Sequence, residues 1–197
     1  MTHRRVITST VLAIGIGGFV AGCSSNNDST GPRGSLAITM GATGTPAAGT
    51  VQTAAGDHDD ALSHLKAAVV TIAGLEARMA DGTWVPMDTG LPADVDLIAI
   101  MDAGNVTQLP ADLLPEGEYG ALQLRITQVQ LTLMDDTKIS IAPSGSGWTV
   151  QIPVSFSVVA GQMTVVKLKL RCGSSFSHSD GQFAFDPEIE VEGVEHD

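Results

Sequence analysis

A short stretch in the first third of the chain carries side chains of the types that bind metal ions. Asp57-His58-Asp59-Asp60 is followed by His64. Imidazole nitrogens and carboxylate oxygens are ligands for zinc and for harder cations. The stretch lacks the glycine and the terminal glutamate of a calcium-binding loop. Asp57, His58, Asp60 and His64 are therefore candidate metal ligands, while the low-complexity composition favours a solvated acidic loop.

Candidate nucleophiles are few, and no motif gives them partners. Ser146 lies in the run Ser144-Gly145-Ser146-Gly147, where a nucleophile elbow requires glycine at 144. Cys172 shares the apolar parity of its predicted strand, which favours a small core residue over a reactive thiol. Asp94 and Asp96 fall on one face and could pair as acid and base, although exposure beside a turn is the simpler interpretation. We therefore expect no enzymatic activity and no cofactor.

Residues 1–22 have the pattern of a lipoprotein signal peptide. Arg4 and Arg5 precede an apolar stretch from Val11 to Val20, which is far shorter than the ~20 residues of a membrane span. The stretch closes on Val20-Ala21-Gly22-Cys23, which resembles the bacterial lipobox. That resemblance implies cleavage before Cys23 and acylation of Cys23. Acylation at this position is physically reasonable, because several fatty chains are needed to hold a domain at a bilayer. An ordinary secretory signal that ends near a cysteine is the alternative.

Residues 23–33 are predicted to be a flexible tether. The segment is rich in serine and asparagine and contains Gly31-Pro32, a composition typical of linkers. Ser24 follows the lipobox cysteine, and in bacteria with two membranes that choice resembles lipoproteins passed on to the outer membrane. We therefore expect an exported protein of the cell envelope, anchored in the outer membrane by its lipid.

The charge balance argues against a nucleic-acid partner. The 197 residues include 10 Lys and Arg against 22 Asp and Glu, a formal charge of −12. Removing residues 1–22 takes away two arginines and no acid, which leaves 8 against 22, or −14. Phosphate backbones require clusters of basic side chains, and an anionic leaflet repels an acidic domain. The predicted contact with the membrane is therefore the lipid anchor, with the domain held off by the tether.

Apolar residues repeat with a period of two along most of the remaining chain. Examples are Leu122, Leu124 and Ile126, and the series from Trp148 to Val158. Such segments separated by turn signals predict one antiparallel β-sandwich over residues 34–194, a transthyretin- or immunoglobulin-like Greek key. Residues 41–63 are predicted to be a long flexible loop, and no long stretch has a helical period.

Local pattern changes give more detailed predictions. The apolar set shifts by three between Ile126 and Val129, an odd step that reverses the buried face, so we predict a bulge or bend at Thr127-Gln128. Alternation over residues 95–99 predicts a further short strand. Alternation over residues 183–191 predicts the last one.

Charge predicts that the strand around residues 167–171 pairs with the strand around residues 188–192. In an antiparallel pair, the residue numbers of directly opposed positions add up to the same value along the whole pair. A sum of 359 places three basic residues opposite three glutamates: Lys167 with Glu192, Lys169 with Glu190, and Arg171 with Glu188. Exposed pairs are worth only about 0.2–1 kcal/mol, so the charges select the register more than they stabilise it. Two independently solvated faces are the alternative.

Several segments share features with one known family. They are residues 34–39, 68–72 and 84–87, which alternate as strands, residues 95–98, and the run from Leu114 to Ile126. The first three resemble strands of the bacterial lipoprotein family known as domain of unknown function 4382, and residues 95–98 resemble its recurring Asp-Leu-Leu element. The run from Leu114 to Ile126 resembles the Leu-Pro-x-Gly-x-Tyr motif of prealbumin-type domains, and the resemblance implies a transthyretin-like sandwich. The residues themselves explain that motif: a proline presets a turn, a glycine takes a positive φ, and a tyrosine buries its ring.

Together these observations predict a lipid-anchored β-sandwich of the cell envelope. The leading interpretation is a non-catalytic binding or structural module that contacts protein or glycan through loops or a sheet edge. A metal-binding or transport-linked lipoprotein and an envelope hydrolase are the alternatives.

Overall fold

The structure is a computed structural model that describes residues 31–44, 58–143 and 145–197. Within those ranges the chain forms short helices and strands in this order: β1 Arg33–Thr43, α1 His58–Ser63, β2 Leu65–Met79, β3 Trp84–Pro86, β4 Ala93–Asp96, α2 Leu97–Ala103, β5 Val106–Pro115, β6 Gly117–Leu133, β7 Lys138–Ile141, β8 Trp148–Val158, β9 Met163–Arg171, α3 Cys172–Ser175, β10 Phe176–Ser179, β11 Gln182–Phe185 and β12 Ile189–His196.

The strands form two main sheets, which confirms the predicted all-β antiparallel sandwich. Sheet A has the order β12-β9-β1-β5, and sheet B has the order β3-β2-β6-β7, with β4 also pairing with β2 and β8 with β6. The pairs are antiparallel except β1 with β9, which run parallel. Strands β10 and β11 form a separate hairpin. The chain crosses between the main sheets at β1–β2, β4–β5, β5–β6 and β8–β9, as in Greek-key sandwiches.

One apolar core lies between the two sheets. Leu36, Ile38 and Met40 of β1 are fully buried, as are Leu122 and Leu124 of β6. Burial alternates along these strands because successive side chains of an extended backbone point to opposite faces. The period of two in the sequence therefore reports the requirement to bury one face of each sheet.

The bulge predicted in β6 is confirmed. Thr71 pairs with Gln128 while Ile72 pairs with Ile126, so Thr127 is the extra residue. Ile126 and Val129 are both buried despite their odd spacing. The bulge also divides β6 between two partners, since residues 117–126 pair with β8 and residues 129–132 pair with β7.

The predicted pairing of β9 with β12 is confirmed, and its register is correct on one side of a bulge. Lys169 lies opposite Glu190, as the sum 359 requires. The register then shifts between Val191 and Gly193, so Lys167 lies opposite Gly193 and the predicted pairing of Lys167 with Glu192 is wrong. Glu192 is the extra residue at the bulge. Its side chain lies beside Lys169 and forms an ion pair with it.

The same shift changes the other ion pairs on this surface. Lys167 Nζ lies 2.5 Å from Glu195 Oε1, and Arg171 Nε lies 3.0 Å from Glu190 Oε2. The charges therefore pair along diagonals, which long side chains reach as easily as the residue directly opposite.

Two segments require correction because local capping and core contacts outweigh composition and alternation. The loop predicted over residues 41–63 is β-strand at 41–43 and helix at 58–63, while residues 45–57 lie outside the described ranges. The strand predicted over residues 95–99 ends at Asp96, and α2 begins at Leu97. Asp96 caps α2, Gly104 ends it with φ 59°, and Leu97 and Ile98 of its first turn are buried.

The strand predicted over residues 183–191 is two strands. Strand β11 ends at Phe185 and pairs with β10, whereas β12 begins at Ile189 and pairs with β9. The interruption contains Pro187, which lacks the N–H that a ladder needs.

The turn before β6 behaves as its residues predict. Tyr119 is buried, and its hydroxyl donates a hydrogen bond to the carbonyl oxygen of Pro115 at 2.8 Å. Its ring stacks on Phe156 with centroids 5.1 Å apart. This motif joins sheet A to sheet B at the point where β5 ends.

Candidate functional site

The three helices gather at one end of the sandwich, here called the helical pole. Strands β1 and β9 both end there, with Thr43 paired to Arg171. Gly44 follows directly, and a Cβ built on it would lie 2.6 Å from Leu62 Cδ1 of α1, 3.1 Å from Met101 Sδ of α2 and 3.3 Å from Cys172 Cβ of α3. Glycine at this position therefore lets all three helices approach the end of β1.

The described chain starts at the opposite end, here called the N-terminal pole. Arg33 pairs with Pro115, and the main-chain N–H of Glu116 donates to the carbonyl oxygen of Pro32 at 3.0 Å. Strand β1 runs from this pole to the helical pole in 11 residues, a distance of about 33 Å at the rise of an extended strand.

A wide groove of about 990 Å³ opens at the helical pole. It is walled by the last residues of β1, the end of α2, the start of β5, and the outward side chains of β9 and β12. The lining residues are Gly41, Ala42, Thr43, Gly44, Met101, Gly104, Asn105, Val106, Lys169, Arg171, Gly173, Ser174 and Glu192.

The charged side chains of the groove are paired. Lys169 forms an ion pair with Glu192, and Arg171 forms one with Glu190 on the neighbouring strand. Opposite charges in contact cancel much of each other's field, so the groove does not present a block of one sign. None of the lining side chains is aromatic.

The candidate nucleophile Cys172 lies in the core behind the groove. Its side chain has no exposed surface, and burial raises the pKa of its thiol to about 12. A thiol with that pKa stays protonated near neutrality, and the thiolate is the nucleophilic form. The prediction that Cys172 is a core residue is confirmed.

The two aspartates considered as an acid–base pair both have structural partners. Asp94 Oδ1 accepts a hydrogen bond from the Thr71 hydroxyl at 2.7 Å. Asp96 Oδ1 accepts from the main-chain N–H groups of Ala68, Ile98 and Ala99 at 3.3, 3.1 and 3.3 Å. These bonds hold β4 against β2 and start α2, which explains why aspartate occupies both positions.

A second, smaller cleft of about 280 Å³ lies beside α1. It is lined by His64, Leu133, Met134, Asp135, His178 and Phe183. The rings of His64 and His178 have centroids 5.7 Å apart, and the ring of His178 stacks on Phe183 at 4.4 Å. The N–H of Thr137 donates to Asp135 Oδ1 at 2.9 Å and lowers the pKa of that carboxyl. The cleft thus combines two imidazoles with a carboxylate.

The predicted metal ligands are only partly within the described structure. Asp57 lies outside it, as do the side chains of His58 and Asp60 in α1, while His64 lines the small cleft. Among the described side chains, no group of three or more His, Cys, Asp and Glu is arranged to hold a metal ion. The four-residue metal site therefore stays a prediction.

Sequence reasoning missed His178 and Met134, which accompany His64 in the cleft. His178 lies more than 100 residues from His64 along the chain, on a hairpin that the sequence did not predict. No local pattern connects the two positions, since only the packing of α1 against β10 brings them together.

Comparison with known proteins yields no relative from which a function could be transferred. No family model matches the chain, and neither a curated protein nor a solved structure matches it. No helix within the described ranges is long and apolar enough to cross a membrane. Cys23 lies outside those ranges.

Proposed function

We propose that this protein is a lipid-anchored, non-catalytic binding module of the bacterial cell envelope, held on the outer membrane through acylated Cys23. Support for the anchor comes from the apolar stretch that ends in Val20-Ala21-Gly22-Cys23. Membership in the family of domain of unknown function 4382 is part of the same proposal, supported by the Leu-Pro-x-Gly-x-Tyr motif.

One observation carries the binding role: the groove lies at the pole opposite to the one where β1 begins. Arg33 begins β1 at the N-terminal pole, and Thr43 ends it at the groove. In a chain anchored through its N-terminus, the groove lies about 33 Å farther from the bilayer than Arg33 when β1 stands along the bilayer normal. A groove in that position faces away from the anchoring membrane, where a partner in the envelope can reach it.

The lining of the groove favours a protein segment over a glycan as the partner. Thr43 and Asn105 place hydrogen-bonding side chains in the lining, and these groups can bind the main chain of a peptide. The lining lacks aromatic rings among its described side chains, although such rings are common anchors in binding sites. The charged side chains Lys169, Arg171 and Glu192 are held in ion pairs, which favours a protein segment that is neutral or of mixed charge.

The lack of catalysis is proposed from the state of the groove's reactive groups. Lys169, Arg171 and Glu192 are engaged in ion pairs, and Cys172 is buried and protonated. General acid–base chemistry requires a group that is accessible and titrates near the working pH.

A photo-crosslinking side chain at Asn105, in the groove, tests the binding role in intact cells. The matched control carries the same side chain at Gln162, which is exposed in the turn between β8 and β9 at the other pole. We expect a discrete crosslinked product from position 105 and none from position 162. Equal products from both positions, or a product from position 162 alone, would refute the groove as the binding surface.

Metabolic labelling with a fatty-acid analogue tests the anchor separately. We expect the label in the wild-type chain and its loss in Cys23→Ala, together with release of the variant from the membrane fraction. If Cys23→Ala stays membrane-bound, the anchor is wrong and the crosslinking result still decides the groove.

A further inference from the structure

The small cleft beside α1 brings two imidazoles and a thioether together. His64, His178 and Met134 line the same cavity of about 280 Å³. They come from three separate places in the chain: the residue after α1, the hairpin strand β10, and the turn after β6. We propose that His64, His178 and Met134 form a binding site for copper(I). This site does not depend on the proposed anchor or on the groove.

The spacing of the two rings suits a shared metal ion. An ion about 2.0–2.1 Å from a ring nitrogen lies about 3.2 Å from the centre of that ring. Two imidazoles on one ion therefore have centres about 5.2 Å apart at the tetrahedral angle and about 6.4 Å apart when they are collinear. The observed 5.7 Å lies inside that interval. The rings also meet at 59°, so they do not stack on each other.

Met134 makes the site selective for a soft ion. Two histidines alone suit zinc, nickel or copper, whereas a thioether ligand favours copper(I). The main-chain N–H of Met134 donates to the carbonyl oxygen of His64 at 3.1 Å, which fixes the two residues side by side. The side chain of Met134 is 64% exposed, so core packing does not account for it.

The surroundings hold the ligands in place before a metal arrives. His178 lies opposite Phe183 in the β10–β11 ladder and stacks on its ring at 27°. His64 is joined to the end of α1, where its N–H donates to the carbonyl oxygen of Ala61 at 3.4 Å. Rigid supporting elements reduce the ordering that binding requires. The Asp135 carboxylate lines the same cleft and adds a negative charge that attracts a cation.

Copper(I) binding is measured on the full chain, purified in detergent and kept without oxygen, by competition with a chelator of known affinity. Met134→Leu and His178→Gln should each weaken copper(I) binding at least about tenfold, since loss of a direct ligand costs no less than loss of an outer partner. Met134→Leu should leave zinc binding unchanged, because zinc does not need the thioether. Copper X-ray absorption should show a sulfur ligand in the wild type and none in Met134→Leu.

The control variants replace the same residue types at the N-terminal pole. Met163→Leu and His196→Gln should bind copper(I) as the wild type does, and thermal melting should show that every variant is folded. An unchanged copper(I) affinity in Met134→Leu or in His178→Gln overturns the proposal. A loss produced by His58→Gln but not by His178→Gln also overturns it and places the ion at the predicted acidic cluster instead.

Discussion

Replacing Asp96 with alanine should lower the free energy of unfolding by about 2 kcal/mol. Oδ1 of Asp96 accepts from the N–H groups of Ile98 and Ala99 in the first turn of α2. Loss of an N-cap costs about 0.5–2 kcal/mol. The same oxygen accepts from the N–H of Ala68 in β2, and Ala68 is fully buried. Leaving that donor unpaired adds about 1 kcal/mol, the low end of the range because the bond is 3.3 Å long.

Urea unfolding followed by circular dichroism measures this change, and thermal melting should show a decrease of about 4–8 °C for a domain of this size. Asp94→Ala is the matched control, since it removes the same charge from the same short strand. The Asp94 carboxylate accepts from one exposed hydroxyl, so its loss should cost about 0.5 kcal/mol.

Asp96→Asn separates the capping role from the negative charge. Asparagine keeps an oxygen acceptor and caps helices as well as aspartate, so this variant should lie within about 0.5 kcal/mol of the wild type. If Asp96→Ala is no less stable than Asp94→Ala, the three hydrogen bonds to Asp96 Oδ1 do not hold β4, β2 and α2 together, and the reasoning fails.

Three further predictions concern buried positions. Gly34→Ala should cost about 3 kcal/mol in urea unfolding, because its Cβ would overlap the carbonyl oxygen of Val159. Tyr119→Phe should cost about 1 kcal/mol through loss of the hydrogen bond to Pro115. Burial raises the pKa of Tyr119 above 10.0, so the tyrosine of the unfolded chain loses its proton at a lower pH than that of the folded chain. The free energy of unfolding of the wild type should therefore fall above pH 10 more steeply than that of Tyr119→Phe. Cys172, whose pKa is raised to about 12, should react with iodoacetamide at pH 8 only as fast as the domain unfolds, as mass spectrometry can follow.

Each of these has an internal comparison. A Cβ at Gly193 meets nothing within 4 Å, so Gly193→Ala should be nearly neutral, and equal costs at both glycines would contradict the steric argument. The Cys23→Ala chain leaves Cys172 as its single thiol, and complete labelling within minutes under native conditions would show that the thiol is accessible. A parallel pH dependence in wild type and Tyr119→Phe would exclude Tyr119 as its source.

Strands with a clean period of two were predictable because a sheet that buries one face imposes that pattern. This holds for β6, β8 and β9, and it extends to the reversal of faces at Thr127. Strand β5 was missed because Pro110 interrupts its sequence pattern. The strand tolerates this proline because it lies at the edge of sheet A, where a missing N–H breaks no ladder bond.

The candidate sites were predictable only where one segment supplies the evidence. His64 was identified because it follows a cluster of acids and a histidine, and Cys172 because of its parity. The groove combines β1, α2, β5, β9, α3 and β12, so no single segment carries its pattern. In the sequence, Met134 has the pattern of an ordinary turn residue. Its place beside His64 and His178 is visible only in the structure.

The sequence by itself determined which segments extend, which face of each strand is buried, and where one strand reverses its faces. These properties depend on near neighbours along the chain, through backbone sterics and the alternation of side chains. Only the tertiary structure decided that β1 runs parallel to β9, that the bulge beside Gly193 moves Glu192 to Lys169, and that His64 meets His178. Those contacts join distant segments, and their choice depends on packing the whole core at once, which no local pattern encodes.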